Sequence, residues 1–335
     1  MRKRLSFLVS MAAVAASLAF TPPALAENLR VAQQFGITYL QLNVIKHLNL
    51  FEKHAAELGV PDLTVDWATF NGVAQMNDAL ISNSLDVAVA GAPGLITAWS
   101  RTAGTPQEIR GICAFAQAPL LMNTNDPALK SIRDLRDTDK IALASVKISI
   151  QAIVVSMAAA KEFGIEHYDK LDPLTMSLGP ADQTTGLLSG SGGFNVSLST
   201  PPYQNIQLKD PKIRTILDST DVLGQASVTM LTTTKRFHDE QPVLYKAVLA
   251  AMDEATDFIS KNRRQAIQFY LEDSKDKISV DDLDQILSDP RYRFDSVPAG
   301  TMKFADFMQK TGMIKTAPAA WSDLFFPEIA DRKGS

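Results

Sequence analysis

Short apolar runs alternate along this chain with longer segments in which apolar residues recur at helical spacing. The runs at 29–32, 63–67 and 85–90 are typical of strands, and the periodicity over 39–47 and 73–81 predicts helices between them. A strand followed by a small-residue turn and a helix is the repeating unit of a largely parallel sheet with helices on its faces. The first third of the chain is therefore expected to form an α/β lobe.

The same order of elements recurs further along the chain. Strands are predicted at 140–144, 175–178 and 195–198, with a long helix over 149–163 between the first two and a shorter helix over 183–189 between the last two. After an apolar run at 228–232, the rest of the chain has mostly helical periodicity. The helices predicted there cover about 242–260, 263–272, 280–287 and 302–311.

These two blocks predict an α/β fold with two lobes, each built on a doubly wound sheet, joined by a hinge. Lobe 1 is expected to comprise 27–115 together with 230–335, and lobe 2 to comprise 120–225. The chain would cross between the lobes near 114–119 and 221–229, which are the expected hinges.

The first 26 residues have the three regions of a secretory signal peptide. A basic start at Met1–Arg4 precedes an apolar run over 5–19, and Ala24–Ala26 forms a small-x-small cleavage signal. The run is too short to span a bilayer, and Thr21–Pro23 interrupts it. We expect cleavage after Ala26 and a soluble mature protein in the periplasm. The residue directly after the cleavage site is not a cysteine, so a lipid anchor is not expected.

Charge and cysteine content narrow the possible partners. The formal net charge of the whole chain is −4. Cleavage of the signal peptide would remove three basic residues and no acidic one, so the mature chain would be more acidic. An acidic chain without basic clusters is not expected to bind nucleic acid. The single cysteine, Cys113, cannot form an internal disulfide, and its apolar neighbours over 111–115 predict a buried strand position.

No arrangement of residues in the sequence is typical of catalysis, a cofactor or a metal. His47 and His54 are seven residues apart, which is not the i, i+4 spacing of a helical zinc site, and we interpret them as solvated helix residues. The glycine-rich segment 190–193 does not match a dinucleotide loop, because Asn195 stands where the last glycine belongs. We therefore predict a binding protein without catalytic residues, cofactor or metal.

Five turns at the carboxyl ends of the predicted strands are candidates for the binding site. Ligands of open α/β sheets bind beyond the carboxyl ends of the strands, and helix N-termini there offer free amides to an anion. Tyr203 and Phe35 are expected to form aromatic walls, one from each lobe. The ligand-binding residues predicted in these turns are Gln33, Phe35, Gly36, Thr38, Asn71, Gly72, Gly91, Ala92, Pro93, Ser149, Thr200, Pro201 and Tyr203.

The order and spacing of four further segments resemble the nitrate/sulfonate/taurine family of ABC-importer binding proteins over nearly the whole mature chain. They are 49–53 (NLFEK), 77–88 (NDALISNSLDVA), 131–135 (SIRDL) and 199–203 (STPPY). Two positions depart from the family pattern. Asn83 stands where glycine is usual, and the turn at 146–149 carries Lys147 near the expected cleft. We include Lys147 among the predicted ligand-binding residues, where it would favour a carboxylate or sulfonate; the alternative, that it is simply solvated, stays open.

This resemblance implies a two-lobed periplasmic binding protein of type II-like fold, a monomer that captures a small, anionic solute of the sulfonate, nitrate or carboxylate type by hinge closure. Its partners would be that solute and an ABC permease in the inner membrane. Two other interpretations stay open at the level of sequence. One is an enzyme of pyrimidine or quinone precursor metabolism on the same fold, since a fold does not determine function. The other is a stand-alone sensor that delivers its ligand to a receptor.

Overall fold

The computed structural model describes residues 27–70 and 72–335. The predicted signal peptide and Asn71 lie outside the described residues.

Ten strands and twelve α-helices make up the described part of the chain. The strands are β1 (Asn28–Gln33), β2 (Thr64–Thr69), β3 (Val87–Ala90), β4 (Ile109–Gln117), β5 (Leu121–Thr124), β6 (Ile141–Leu143), β7 (Thr175–Ser177), β8 (Val196–Leu198), β9 (Arg214–Asp218) and β10 (Ser227–Thr234). The helices are α1 (Leu40–Leu48), α2 (Leu50–Glu57), α3 (Val73–Ile81), α4 (Ala92–Thr102), α5 (Ile150–Phe163), α6 (Pro180–Ser189), α7 (Tyr203–Gln207), α8 (Thr220–Leu223), α9 (Lys235–Glu240), α10 (Pro242–Ser274), α11 (Val280–Ile286) and α12 (Thr301–Lys310).

The strands form two separate sheets of five, which confirms the predicted two-lobed α/β fold. The first sheet has the order β2-β1-β3-β10-β4 and the second the order β7-β6-β8-β5-β9. In the first, β10 runs antiparallel to both β3 and β4, and in the second, β5 runs antiparallel to both β8 and β9. Both exceptions are strands that the chain enters directly after crossing from the other sheet.

Three differences from the sequence prediction have clear local causes. The strands β5 and β9 were not predicted, because Leu121–Thr124 is short and Arg214–Asp218 alternates only weakly. Helix α6 begins three residues earlier than predicted, at Pro180, which suits the first turn of a helix because its missing N–H has no intrahelical partner there. The two predicted helices at 242–260 and 263–272 are one helix, α10, with a kink at Asn262 (φ −132°, ψ 40°).

Helix α10 covers the outer face of lobe 1, where it packs along α1 and α2. Its Tyr245 and Tyr270 are among the largest fully buried side chains of the molecule. Cys113 is completely buried in β4, as predicted, and this burial raises the pKa of its thiol.

The prediction that His47 and His54 are solvated is wrong. The side chain of His47 retains 22% of its exposure and that of His54 retains 16%. The reason is α10: His47 stacks on Phe269 with ring centroids 4.5 Å apart, and His54 Nε2 lies 2.7 Å from Glu254 Oε2. Within 27–70 and 72–335, no group of three or more His, Cys, Asp or Glu side chains is placed to hold a metal ion.

Candidate functional site

A small cavity lies between the two lobes, where the turns at the carboxyl ends of the strands face one another. Its volume is about 50 Å³. Lobe 1 contributes Gln34, Phe35, Thr38, Tyr39, Val73, Gly91, Gly94, Val228 and Thr229, and lobe 2 contributes Ala144, Ser145, Ile148, Ser149, Ile150, Gln151, Pro180 and Thr200. Leu120, between β4 and β5, lies where the chain crosses from one lobe to the other and also lines the cavity. The position agrees with the general rule for ligands of open α/β sheets.

Helices from both lobes begin at this cavity, among them α4 of lobe 1 and α5 of lobe 2. Helix α4 follows Gly91, whose extended backbone (φ −76°, ψ 162°) precedes the first turn and supplies no side-chain cap. Helix α5 follows Ser149, whose hydroxyl accepts a hydrogen bond from the Ala152 amide at 3.2 Å. The remaining first-turn amides have no intrahelical acceptor, and the helix dipole adds partial positive charge at each start. Both ends therefore favour an anion or a carbonyl oxygen.

The two lobes approach each other closely around the cavity. The Ile37 amide donates a hydrogen bond across the gap to the Pro201 carbonyl at 3.1 Å. A Cβ atom on the preceding Gly36 would lie 2.8 Å from the same oxygen, and Gly36 has a φ of 125° that favours glycine. A Cβ on Gly91 would lie 3.1 Å from Ile150 Cβ of lobe 2. Small residues in these turns thus permit the lobes to meet backbone to backbone.

The polar groups around the cavity are amides and hydroxyls. The Tyr39 hydroxyl donates to Gln34 Oε1 at 2.9 Å, which turns the amide nitrogen of Gln34 away from that bond, and burial raises the pKa of Tyr39. The Thr200 hydroxyl is buried and has no hydrogen-bond partner among the described residues. None of the described residues that line the cavity is Asp, Glu, Lys, Arg, His or Cys.

Five of the residues predicted from the sequence line this cavity. Phe35, 45% exposed, lies at its edge, and the others are Thr38, Gly91, Ser149 and Thr200. Eight further predicted residues do not line the cavity: Gln33, Gly36, Gly72, Ala92, Pro93, Lys147, Pro201 and Tyr203. Asn71 lies outside the described residues.

Tyr203 and Lys147 were both predicted to bind the ligand, Tyr203 as an aromatic wall and Lys147 as a charged residue near the cleft. Tyr203 is buried, 6% exposed, and its hydroxyl donates to Asp276 Oδ1 at 3.3 Å, in the segment that follows α10. Burial is the main cause that raises the pKa of Tyr203. Lys147 is exposed, with a left-handed backbone (φ 67°), in the turn before α5. Neither side chain lines the cavity.

Gln151 is the most informative cavity residue that the sequence did not single out. It is the second residue of α5 and is 3% exposed. In the sequence it is the one polar residue of the run from Ile150 to Val155, whose apolar neighbours predict a buried helix. Its place two positions after the Ser149 cap was the available signal, because side chains of the first helical turn lie beside the free amides.

Comparison with known proteins gives one family and many structures. The model of the NMT1-like family matches residues 16–270. The alkanesulfonate-binding protein SsuA from Xanthomonas axonopodis pv. citri, in complex with MOPS, has a TM-score of 0.66 and 16% sequence identity, with 88% of this chain and 96% of that chain covered. No curated protein matches the sequence.

Two further similar structures are of proteins named for two different solutes, an aliphatic sulphonate and nitrate. The periplasmic aliphatic sulphonate binding protein SsuA from Escherichia coli has a TM-score of 0.63 and 20% identity, covering 89% of this chain and 98% of that chain. The periplasmic nitrate-binding protein NrtA from Synechocystis PCC 6803 has a TM-score of 0.62 and 16% identity, covering 89% of this chain and 84% of that chain. At these identities the likeness establishes the fold alone.

Proposed function

The chain belongs to the NMT1-like family, and we propose that it is the solute-binding component of an ABC importer, which captures a small anionic solute between its two lobes. The observation that carries this proposal is the cavity between the lobes, at which α4 and α5 both begin. Two helix starts that converge from opposite lobes supply donors and partial positive charge to one ligand.

The uncharged lining favours binding over chemistry. General acid–base or nucleophilic catalysis needs a titratable or nucleophilic group within hydrogen-bond reach of the reacting atom. The side chains that line the cavity are apolar residues, amides, hydroxyls and one phenol, Tyr39, whose pKa is raised by burial. The lining is therefore suited to a site that binds a solute and releases it chemically unchanged.

We infer that the solute enters and leaves by hinge bending between lobe 1 (27–115 with 230–335) and lobe 2 (120–225). The chain passes between the sheets twice, through the segments that join β4 to β5 and β9 to β10, and these segments overlap the ranges 114–119 and 221–229 predicted as hinges. Leu120 lies in the first segment and Val228 at the start of β10, and both line the cavity, so that a change of hinge angle would alter the cavity directly.

The proposal places the mature protein in the periplasm, with an inner-membrane permease as its partner. No helix within 27–70 or 72–335 is long and apolar enough to cross a membrane. The export step depends on 1–26, for which N-terminal sequencing of the functional protein is the test. Glu27 as the first residue supports export, and a retained Met1 on functional protein in the cytoplasm contradicts it.

The test of function is a ligand screen on the purified mature protein by thermal shift, followed by calorimetry. The panel comprises nitrate, methanesulfonate, taurine, benzoate and a pyrimidine. A true ligand at about 100 times its Kd stabilises the folded state by about 2.7 kcal/mol. Scattering with that ligand should show a smaller radius of gyration. Chemical conversion of a bound compound, detected by mass spectrometry, or binding without compaction would contradict the proposal.

A further inference from the structure

Gln151 of lobe 2 is a buried residue that lines the cavity and whose amide has no hydrogen-bond partner among the described residues. It is 3% exposed, and the same is true of Thr38 on the lobe 1 side. Thr38 also lines the cavity, and its hydroxyl likewise has no partner among the described residues. Both polar groups are therefore available to a molecule that occupies the cavity.

Other buried glutamines of lobe 2 show that this is not the general condition of the lobe. Gln183 donates to the Leu178 carbonyl at 2.6 Å and accepts from the Ser197 hydroxyl at 2.9 Å. Gln204 donates to the Pro119 carbonyl at 2.9 Å and accepts from the Leu121 amide at 3.0 Å. Both ends of these amides are bonded within the protein, whereas Gln151 lines the cavity and its amide bonds to no described residue.

The cavity size limits what that ligand is. A water-sized position needs at least roughly 10–15 Å³ of such volume. The cavity of about 50 Å³ therefore holds roughly three to five water-sized positions in the closed arrangement. That space suits a small solute, on the scale of nitrate, acetate or methanesulfonate, better than an aromatic ring with a charged substituent, since an engineered cavity that binds benzene has a volume of roughly 150 Å³.

We propose that Gln151 and Thr38 are the specificity-determining polar anchors of the cleft and that they hold a small oxyanion without any cationic side chain. The anion oxygens lie between the α5 start, with the Gln151 amide beside it, and the Thr38 hydroxyl of the opposite lobe. Donation from both lobes to one solute stabilises closure. This inference rests on the proposed function, since it assumes that the cleft binds a solute.

The experiment compares the mature wild-type protein with two variants of Gln151 by calorimetry, with nitrate, methanesulfonate, acetate, benzenesulfonate and a pyrimidine as probes. Gln151→Glu keeps the shape and adds a negative charge at the anion position. We expect it to weaken binding of the small anion about 100-fold or more. Gln151→Leu removes the amide alone and should weaken binding about 10-fold. Gln309→Glu makes the same charge change at an exposed position of α12 and should leave affinity unchanged.

The outcomes separate this inference from the proposed function. If the wild-type protein binds a small anion and Gln151→Glu binds it equally well, the role of Gln151 is overturned while solute binding stands. If only benzenesulfonate or the pyrimidine binds, the size limit is overturned. If no solute of any class binds, the proposed function itself fails. Should Gln151→Glu not fold, Gln151→Leu and Thr38→Val, each nearly isosteric and uncharged, provide the same comparison, and unchanged affinity in both overturns the inference.

Discussion

The two lobes meet at two interfaces of opposite character. In the cleft, contact is made by backbone and small residues, as between the Ile37 amide and the Pro201 carbonyl, and no charged side chain lines the cavity. The second, which we call the tail interface, joins residues 203–218 of lobe 2 to residues 276–293. Its contacts are Tyr203–Asp276 (3.3 Å), Lys209–Asp282 (2.6 Å), Asn205–Tyr292 (3.3 Å) and Asp218–Arg291 (2.7 Å).

The contrast follows from what each interface must do. Under the proposed hinge closure, charges in the cleft would have to lose their water each time the lobes close, at a cost of several kcal/mol per ion. A cleft lined by amides, hydroxyls and helix starts avoids that cost and leaves the charge to the ligand. The tail interface is partly exposed, so its ion pairs keep much of their hydration and hold lobe 2 against the tail through side-chain geometry. We therefore expect cleft variants to change affinity and tail variants to change stability.

The largest expected effect is that of Tyr203→Ala, which tests whether Tyr203 belongs to the tail interface or to the ligand. Because the ring is buried, we expect its removal to lower the free energy of unfolding by about 3–5 kcal/mol. Denaturant unfolding measures this. Tyr203→Phe is the matched control, which keeps the ring and should cost only about 0.5–1.5 kcal/mol for the lost Asp276 contact. Unchanged stability with lost affinity would instead restore the aromatic wall predicted from sequence.

Tyr203 illustrates which features of the molecule could be predicted from the sequence and which could not. Elements with strong periodicity were predicted closely, such as α3 at Val73–Ile81 and α5 at Ile150–Phe163. The turns were also located, because glycine, proline and cap residues mark strand and helix ends locally. The side to which a turn residue points depends on how the lobes dock, and nothing local encodes that. Tyr203 therefore looked like a cleft residue from its turn alone, although it lies against Asp276.

Gln151 shows the converse limit. Its neighbours are apolar, so the local pattern indicates a buried helix face, and only the position of the α5 start relative to lobe 1 makes this amide a cavity residue. The uncharged character of the cavity was equally hidden. Lys147 is two residues from Ser149 in sequence, yet the left-handed backbone at Lys147 lies in a turn that leaves its side chain exposed.

Gly36→Ala tests the close approach in the cleft. At φ 125° a Cβ atom is strained by about 1–3 kcal/mol, and it would also lie 2.8 Å from the Pro201 carbonyl of the other lobe. Opening of the lobes relieves the second contact but not the first. We expect affinity for the identified ligand to fall about 10- to 100-fold by calorimetry, beyond any loss of stability. Gly59→Ala is the control, since Gly59 has φ 95° but no atom within 4 Å of its Cβ position. Equal effects of the two changes on affinity would contradict cleft contact.

The pH dependence of the unfolding free energy tests whether the ion pair of Asp139 with Arg136 stabilises the fold away from the cleft. Hydrogen bonds from the Arg136 side chain, with bonds at 2.8 and 3.0 Å, lower the pKa of Asp139 to about 2. A carboxyl whose folded pKa is depressed stabilises the fold above its unfolded pKa of about 3.9, and that stability is lost as the pH falls toward 2. We expect a loss of about 2 kcal/mol between about pH 5 and pH 2, and a shallower slope in Asp139→Asn.

The same experiment carries a control on the cleft. Ligand affinity should not change between about pH 5 and pH 8 beyond titration of the ligand itself, because no described side chain that lines the cavity titrates in this range. A bell-shaped affinity profile would show that a titratable group reaches the ligand and would contradict a charge-free cleft. Lys147 would then be the first residue to test, since its exposed side chain is carried by a turn that adjoins the cavity.

The smallest expected effect is that of Asp218→Asn, which removes one ion pair of the tail interface. Asp218 Oδ2 lies 2.7 Å from Arg291 Nη1, and both side chains are partly exposed, so we expect a loss of at most about 1 kcal/mol in unfolding free energy at low salt. The difference should shrink toward zero at about 1 M salt, where charges are screened within about 3 Å. The amide of asparagine retains an oxygen that can accept from the Thr220 amide, as Asp218 Oδ1 does at 2.9 Å, so the local turn is preserved.

Asp295→Asn is the matched control. The Oδ1 atom of Asp295 likewise accepts a hydrogen bond from the amide two residues further on, that of Val297, at 2.9 Å. Its ion-pair partner, Arg293, lies in the same segment, so this change breaks no contact between the lobes. If Asp218→Asn also raises affinity for the ligand, the tail interface opposes closure, and the division between an interface for affinity and one for stability is wrong.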